Sequence, residues 1–393
     1  MTSVKDYKNP IIAVFARHSA LEVCFGAKKM GFKTLVIAEK GRGKVYDQYF
    51  KRGPSADSTR ASTELSRMSS PQASSGRPSV GCVDEIFYVE KIKDLLTADV
   101  QKKLRAKNCI FIPHRSFEVY LGDYDGIEKK FKIPVFGNRF LFRAEERSVK
   151  PNQYDLLEKG GIKYPKIFKN PKDIDRMVIV KVSVNEKERS FERAFFLANS
   201  YKEFLTESEK LIKIGKITES GLKNVIIEEF LLGAQVNFNF FYSPTLGRLE
   251  LLGTDTRRQT NLDGLLRLPQ TQQAQILAKI RPTYEEAGHI AVTVLESFLE
   301  MAYEMGERFV EATKEMFGPG IIGPFGLQAV ILPGPPKKEI AVFDVALRMP
   351  GSPGIAATPY SSYLYGRPVS MGERVAMEIK EAIKTNQLPK IIT

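Results

Sequence analysis

Two short polar loops in the first third of the chain each follow an apolar, strand-like run: IIAVFA leads into Arg17-His18-Ser19, and IFIP leads into His114-Arg115-Ser116. At the carboxyl edge of a parallel sheet such loops meet ligands. The helix that follows offers free backbone N–H groups and a positive dipole to a phosphate. Two of the chain's three histidines sit in these loops. Taken singly, Ser19 and Ser116 read as ordinary helix N-caps with incidental histidines beside them. The pairing of the loops favours a binding site.

Lys181 lies inside the apolar run VIVKV, where a charge needs a partner or an anion. The segment after it, Ser183 to Arg193, has none of the glycines of a phosphate-binding nest and offers the cations Lys187, Arg189 and Arg193 instead. It reads equally well as a solvated hairpin tip. In IIEEFLLG, Glu228 and Glu229 precede Gly233, a pattern suited to a hinge where backbone reads an adenine and a carboxylate holds a ribose hydroxyl. TDTRRQTNLDGLLRLP packs Asp255, Arg257, Arg258, Asn261 and Asp263 into nine positions, as a polar turn or a substrate loop. Gln328 and Asp344 lie on two runs that read as neighbouring antiparallel strands. They converge there as oxygen ligands for Mg²⁺, with Arg348 nearby for a phosphate.

The elements that must position these residues fall into two blocks. Through the first third, short apolar runs (10–16, 33–38, 85–89, 109–113) alternate with helical segments near 19–30 and 98–107, the rhythm of a parallel α/β sheet. Pro54 to Val80 breaks it with nine serines and only Leu65, Met68 and Val80 as large aliphatics, too little apolar surface to offset ordering. It reads as a disordered insertion. A second, α+β block starts near 145, with a charged helix expected from Arg143 to Gly161 and another from Tyr201 to Ile214. Strands are expected at 177–182, 191–198, 225–232, 235–242, 248–255, 326–332 and 339–346, and further helices near 294–317 and 370–384. Gly-Ala, Ser-Pro and Pro-Gly-Pro-Pro turns mark the later strands as antiparallel.

Composition narrows the function classes. Hydrophobic residues at 43% and charged residues at 27% of 393 fit a globular protein and exclude collagen-like, coiled-coil and wholly disordered chains. No run reaches membrane-span length and no signal peptide is read. Cys24, Cys82 and Cys109 make no zinc or disulfide pattern, so a reducing cytoplasm is expected. The net charge of +13 suits anionic small molecules; without a zinc finger, RNP pattern or basic tail, nucleic acid is not expected.

The collinear order RHSALEVCFGAKKMGF, PHRSF, PVFGNRFLFRAEERS, VIVK, IIEEFLLG, FFYSP, LELLGTDTR, TNLDGLLRLP, GPFGLQ, VFDVALR and SMGERVAMEIKEAI resembles the archaeal formate-dependent synthetases of purine biosynthesis, ATP-grasp ligases that make 5-formaminoimidazole-4-carboxamide ribonucleotide. The resemblance covers nearly the whole chain outside residues 52–80. It implies a Rossmann-like parallel-sheet domain (1–138) followed by a two-lobed ATP-grasp domain, the first lobe 139–232 and the C-terminal lobe 233–393 carrying the metal site. The implied reaction joins formate to the 5-amino group of 5-aminoimidazole-4-carboxamide ribonucleotide (AICAR) through formyl phosphate, with ATP cleaved to ADP and phosphate and no protein nucleophile. By position, His18, Ser116 and Asn261 would hold AICAR, with Ser19 and Arg258 beside them. Lys181, Glu228, Glu229 and Leu231 would hold ATP, and Gln328 and Asp344 would hold Mg²⁺ or Mn²⁺; from the residues alone, Arg189 and Arg193 are candidates at the ATP phosphates and Arg348 at the transferring phosphate. A homo-oligomer without membrane attachment is also implied. The chain departs from the family at the charged loop after Lys181, at Arg115 in place of glycine, at Asp344 in place of glutamate, and at Met349 to Gly354 in place of Asp-Gly-Gly. These departures leave two other readings open: a purine-nucleotide-binding paralogue without ligase activity, and an ATP-grasp ligase for another carboxylate or amine, with Arg115 as the place to look.

Overall fold

A computed structural model describes residues 7–52, 81–183, 193–223, 225–280, 286–334 and 336–393. The serine-rich stretch and Arg189 lie outside them. Strands β1 (Ile11–Phe15), β2 (Lys33–Glu39), β3 (Glu85–Val89) and β4 (Cys109–Ile112) pair in parallel in the order β3-β2-β1-β4. The inner strands are apolar along their length because both faces are covered: Ile12, Val14, Val36 and Ile110 enter one cluster and Ala13, Phe15, Leu35 and Phe111 another. Helices α1 (Ala20–Lys29), α2 (Ala98–Ala106) and α3 (Arg115–Leu121) complete this unit. The strand order reverses at β1, so the carboxyl ends of β1 and β4 lie side by side and a crevice opens between them.

Next come α4 (Gln153–Lys159), β5 (Ile167–Phe168), β6 (Val178–Ser183), β7 (Arg193–Ala198), α5 (Tyr201–Lys213), α6 (Glu219–Leu222) and β8 (Ile226–Glu229). The four strands form an antiparallel sheet, β5-β8-β6-β7. Alternation turns Val178, Val180, Val182 and Ile227 onto Phe204 and Leu211 of α5 and leaves Lys181 and Glu228 on the other face. The expected helix from Arg143 to Gly161 is corrected. Arg139–Glu145 is a 3₁₀ turn, and the helix is only α4. Pro151 has no N–H to continue a helix, and Asn152 caps α4 in a box with Asp155.

A five-stranded antiparallel sheet fills the rest: β9 (Ala234–Ser243), β10 (Arg248–Gln259), β11 (Glu286–Ala291), β12 (Gly323–Leu332) and β13 (Glu339–Ala346), in the order β11-β10-β9-β12-β13. Between its strands lie α7 (Thr260–Leu265), α8 (Gln270–Leu277) and α9 (Leu299–Met316); α10 (Tyr360–Tyr365) and α11 (Met371–Lys384) follow. Phe238, Phe240, Phe325 and Leu327 pack with Met305 and Phe309 of α9, and Asn237, Asn239 and Gln328 take the opposite face. The segment 254–269 is neither turn nor loop throughout, since β10 runs on to Gln259. Sequence reading missed α8 and β11, which have no apolar period.

Helix α11 returns to the first sheet and packs on α1. A Cβ on Gly26 would lie 2.1 Å from the backbone of Glu373, and one on Gly372 2.2 Å from the Glu22 carbonyl oxygen, so the two glycines let the helices touch. No described helix is long and apolar enough to cross a membrane.

Candidate functional site

The crevice between β1 and β4 holds both sequence-predicted loops. Arg17 and His18 have positive φ (102° and 48°), rare for residues with side chains, which turns the chain sharply after β1 and presents the imidazole to the cleft. His18 Nδ1 lies 2.7 Å from Ser19 Oγ, and Ser19 Oγ donates to the Pro350 carbonyl at 2.7 Å. Ser19 therefore does not cap α1 with its side chain, and its buried hydroxyl ties the loop to the segment after β13. His114 is fully buried, its Nε2 donates to the Phe15 carbonyl at 2.7 Å, and its ring stacks on His18 at 5.3 Å. Ser116 is buried in the first turn of α3. Burial lowers the His114 pKa to about 4. Desolvation in the cleft, then the charges of His114, Arg348, His289 and Arg115, lower that of His18.

The third histidine joins this group, which sequence reading did not foresee. His289 on β11 bonds Asp255 through Nδ1 and Glu286 through Nε2 (2.6 Å), with Ser352 Oγ 3.4 Å from Nδ1. Burial opposes its charge, but the two carboxylates outweigh burial and raise the pKa to about 9. His289 is an imidazolium at neutral pH. Asp255 is itself buried and accepts from Asn237 (3.0 Å) and Asn239 (2.6 Å).

Beneath the His114 loop lies a cluster of buried charge. Arg115 reaches Glu145 (3.1 Å), Glu146 (3.4 Å) and Glu118 (3.7 Å). Arg348 reaches Glu145 (2.9 Å) and Glu118 (3.6 Å). Both guanidinium groups are thus committed to carboxylates, Arg348 with 8% of its side chain exposed. Arg348 holds Glu145 against the end of β13, where Leu347 N also donates to Glu145 at 2.6 Å.

On the five-stranded sheet one rung runs Asp344–Gln328–Asn237–Asp255 across β13, β12, β9 and β10. The register shifts just beyond the Gln328–Asp344 pair, and this bulge aims Asp344 beside Gln328. Arg257 Nη2 donates to Gln328 Oε1 at 2.5 Å, and Arg147 Nη2 donates to Asp344 Oδ1 at 3.0 Å. Burial raises the Asp344 pKa, but Arg147, Arg257 and Lys181 overcome it and hold the pKa at about 2. Among the described residues no group of three or more His, Cys, Asp or Glu side chains could hold a metal ion.

Arg147 links this rung to the four-stranded sheet. Its Nε lies 3.1 Å from Glu228 Oε1 and donates to Tyr154 Oη at 2.7 Å; Tyr154 in turn donates to Glu228. Lys181 Nζ donates to Glu228 Oε2 at 2.6 Å, so Glu228, 2% exposed, accepts from Tyr154 and Lys181 and is ion-paired with Arg147. Burial and the nearby Arg147 lower the Lys181 pKa against the pull of Glu228.

The structure does not gather every predicted residue. Glu229 faces away from Glu228 and pairs with Arg176 at 3.1 Å outside the cleft. Leu231 lies between β8 and β9, where a Cβ on Gly233 would meet the Ile331 carbonyl at 2.3 Å, so this turn needs glycine for closeness rather than for φ. Arg258 is exposed and pairs with Asp263 at 3.6 Å, on the opposite face of β10 from Asp255 and Arg257. Asn261 is exposed on α7, and Arg193 begins β7 opposite Ser183. The residues missed were Arg147, His289 and the asparagine pair. The alternation of Asn237 and Asn239 with aromatics in VNFNFF was the available signal, because amide side chains on the polar face of a central strand need partners.

Two family models match, one described as a protein of unknown function (DUF1246) over residues 12–168 and the other as a domain of unknown function (DUF1297) over 203–393. The chain is 36% identical to the 5-formaminoimidazole-4-carboxamide-1-(beta)-D-ribofuranosyl 5'-monophosphate synthetase of Methanopyrus kandleri, over 99% of this chain and 96% of that protein. It is 35% identical to the protein of that name from Methanocaldococcus jannaschii, over 97% and 94%. Among solved structures, the IMP biosynthesis protein PurP from Thermococcus kodakaraensis matches with a TM-score of 0.67 and 26% identity, over 97% of this chain and all of that one. The N5-carboxyaminoimidazole synthetase of Staphylococcus aureus, complexed with ADP, matches in fold alone: TM-score 0.55, 13% identity, 94% of this chain and 77% of that one.

Proposed function

The chain belongs to the family of 5-formaminoimidazole-4-carboxamide ribonucleotide synthetases, on an ATP-grasp-like fold, and on that premise we propose that it is a ligase joining formate to the 5-amino group of AICAR, a step of IMP biosynthesis, with ATP cleaved to ADP and phosphate. The observation that carries this reading is one connected set of side chains. Lys181 and Glu228 on one sheet reach Asp344 on the other through Arg147, and Gln328 stands beside Asp344 in register. Two residues before Arg147, Glu145 holds Arg115 of the His114 loop.

In this reading formate attacks the γ-phosphorus, ADP leaves, and the AICAR amine attacks the formyl phosphate carbon. The protein aligns three reactants and neutralises phosphate charge; it needs no nucleophile of its own. Lys181, Arg147 and Arg257 are the cations at the phosphate end, each resting on a carboxylate or amide that a phosphate would displace. Water exclusion protects the acyl phosphate. The hard oxygens of Gln328 and ionised Asp344, adjacent on one rung, fit a divalent cation that arrives with the nucleotide. Gln328 and Asp344 would hold Mg²⁺, which supplies further neutralisation of phosphate charge. The substrates are small molecules, and we place the enzyme in the cytoplasm as a homo-oligomer.

The test is ADP release and purine product analysis with ATP, Mg²⁺, AICAR and formate, each omitted in turn. Product that requires all four supports the ligase. ATP or AICAR binding without turnover moves the reading to a non-catalytic paralogue. Asp344→Ala is expected to abolish ADP formation, and unchanged turnover in that variant would remove the metal assignment.

A further inference from the structure

We infer that His18 is the general base of the second half-reaction, with its Nε2 lone pair set to take the proton from the attacking amine; this rests on the function proposed above. The argument starts from hydrogen-bond valence. The Pro350 carbonyl can only accept, so the single proton of the Ser19 hydroxyl goes to it. Ser19 Oγ then has only lone pairs for His18 Nδ1, 2.7 Å away, and Nδ1 must carry the hydrogen. A neutral imidazole protonated at Nδ1 has its lone pair on Nε2. The network thereby assigns the tautomer.

The surroundings keep that lone pair available. A Cβ on Gly351 would lie 2.7 Å from both Cε1 and Nε2 of His18, so only glycine leaves room for this edge of the ring, and His18 itself is exposed. The ring is held from behind by its stack on His114, whose own Nε2 is committed to Phe15, and the positive φ values at Arg17 and His18 aim it out of the loop. The titratable groups that face it are the neutral His114 and the cation Arg115 from the second loop, and the cations Arg348 from the end of β13 and His289 from β11. Desolvation first, and then the charges of Arg348, His289 and Arg115, disfavour its protonation. An anionic substrate offsets those cations and strengthens the base when it is needed.

The step balances. The amine nitrogen forms a bond to the formyl carbon, the C–O bond to phosphate breaks with its electron pair leaving on phosphate, and the nitrogen's proton moves to Nε2. Ser19 is a positioning residue, because it acts only through His18.

The test uses the full chain and three variants. His18→Asn keeps a side-chain donor for Ser19, tolerates the left-handed backbone and lacks only the base. Product formation at saturating AICAR is expected to fall by ~10²-fold or more. The formate-dependent isotope scrambling of bridge-labelled ATP, which reports the first half-reaction, is expected to persist, and any rise in AICAR KM to be smaller than the fall in kcat, since His18 also stands among the expected AICAR contacts. Ser19→Ala is expected to lower kcat by ~10-fold by freeing the tautomer, and Ser19→Thr to restore it. A raised AICAR KM with unchanged kcat in His18→Asn would overturn the proposal, making His18 a binding group alone. Equal losses in Ser19→Ala and Ser19→Thr would overturn the tautomer argument. Wild-type protein that makes no formylated product would instead overturn the functional reading itself, a result read before any variant is made.

Discussion

Two buried charge networks in this molecule use the same residue types to opposite ends. Under α11, Arg374 is paired with Glu250 (2.7 Å) and Glu378 (2.9 Å) and lies over Phe241; Tyr365, Ser243 and Thr245 supply further donors to the two carboxylates. No buried side-chain atom there lacks a partner. The described residues hold six buried side-chain atoms without a hydrogen bond; one is Glu22 Oε2, on a carboxylate whose other oxygen accepts from Met371 N and Gly372 N at the start of α11. The others are His114 Nδ1, both oxygens of Glu118, Arg348 Nε and Arg257 Nε. Saturated networks hold a fold together, whereas unsaturated ones mark where a ligand or a proton is to be exchanged. Charge alone did not separate the two.

The sharpest break of that contrast is Arg374→Met, which would leave Glu250 and Glu378 buried without their cation. A loss of ~3–5 kcal/mol in urea unfolding is expected. A loss under 1 kcal/mol would show that the network is not the structural member of the pair. Next in size is the pH dependence set by His289. Its pKa is raised from an ordinary 6.5 to about 9 by Asp255 and Glu286 against burial. The stabilisation is therefore complete below pH 6.5 and is lost as pH rises through 9. Unfolding free energy is expected to fall by at most ~3 kcal/mol across that window, and His289→Asn to flatten the curve. A His289→Asn profile that keeps the wild-type slope would remove the imidazolium.

Much of this was legible because period and order carry it. Alternating runs gave the parallel sheet, and the strand reversal at β1 then forces the loops at His18 and His114 together. The pairing of Gln328 with Asp344 followed from two antiparallel runs of matching length. What stayed hidden depends on contacts that no local pattern encodes. Arg147 is one charge among many in FRAEERS, and only the approach of two sheets makes it the link between Glu228 and Asp344. His289 lies on a strand whose EAGHIA sequence has no alternation, and its carboxylate partner Asp255 is 34 positions away. Arg348 was placed with a phosphate because its type suits one, and Arg115 was the place to look for another carboxylate or amine; the structure gives both to Glu145 and Glu118.

The finest test of the comparison is a difference of sign. Glu118 is fully buried in α3, and burial together with the negative charge of Glu145 raises its pKa well above the ordinary 4.5, despite Arg348 and Arg115. Glu250 is buried as deeply, but there burial is outweighed by Arg374 and Tyr365, and its pKa is lowered. Relative to a glutamine, the contribution of Glu118 is most favourable below pH 4.5 and is lost as pH rises toward its folded-state value. Glu118→Gln is thus expected to stabilise the protein by ~1 kcal/mol at pH 7.5, the range seen when an unfavourable group at a functional site is relieved, and by less at pH 4.5. Glu250→Gln is expected to destabilise at both. Paired urea titrations at the two pH values decide it. Destabilisation by Glu118→Gln at neutral pH would place Glu118 with the structural carboxylates and leave the cleft without its buried acid.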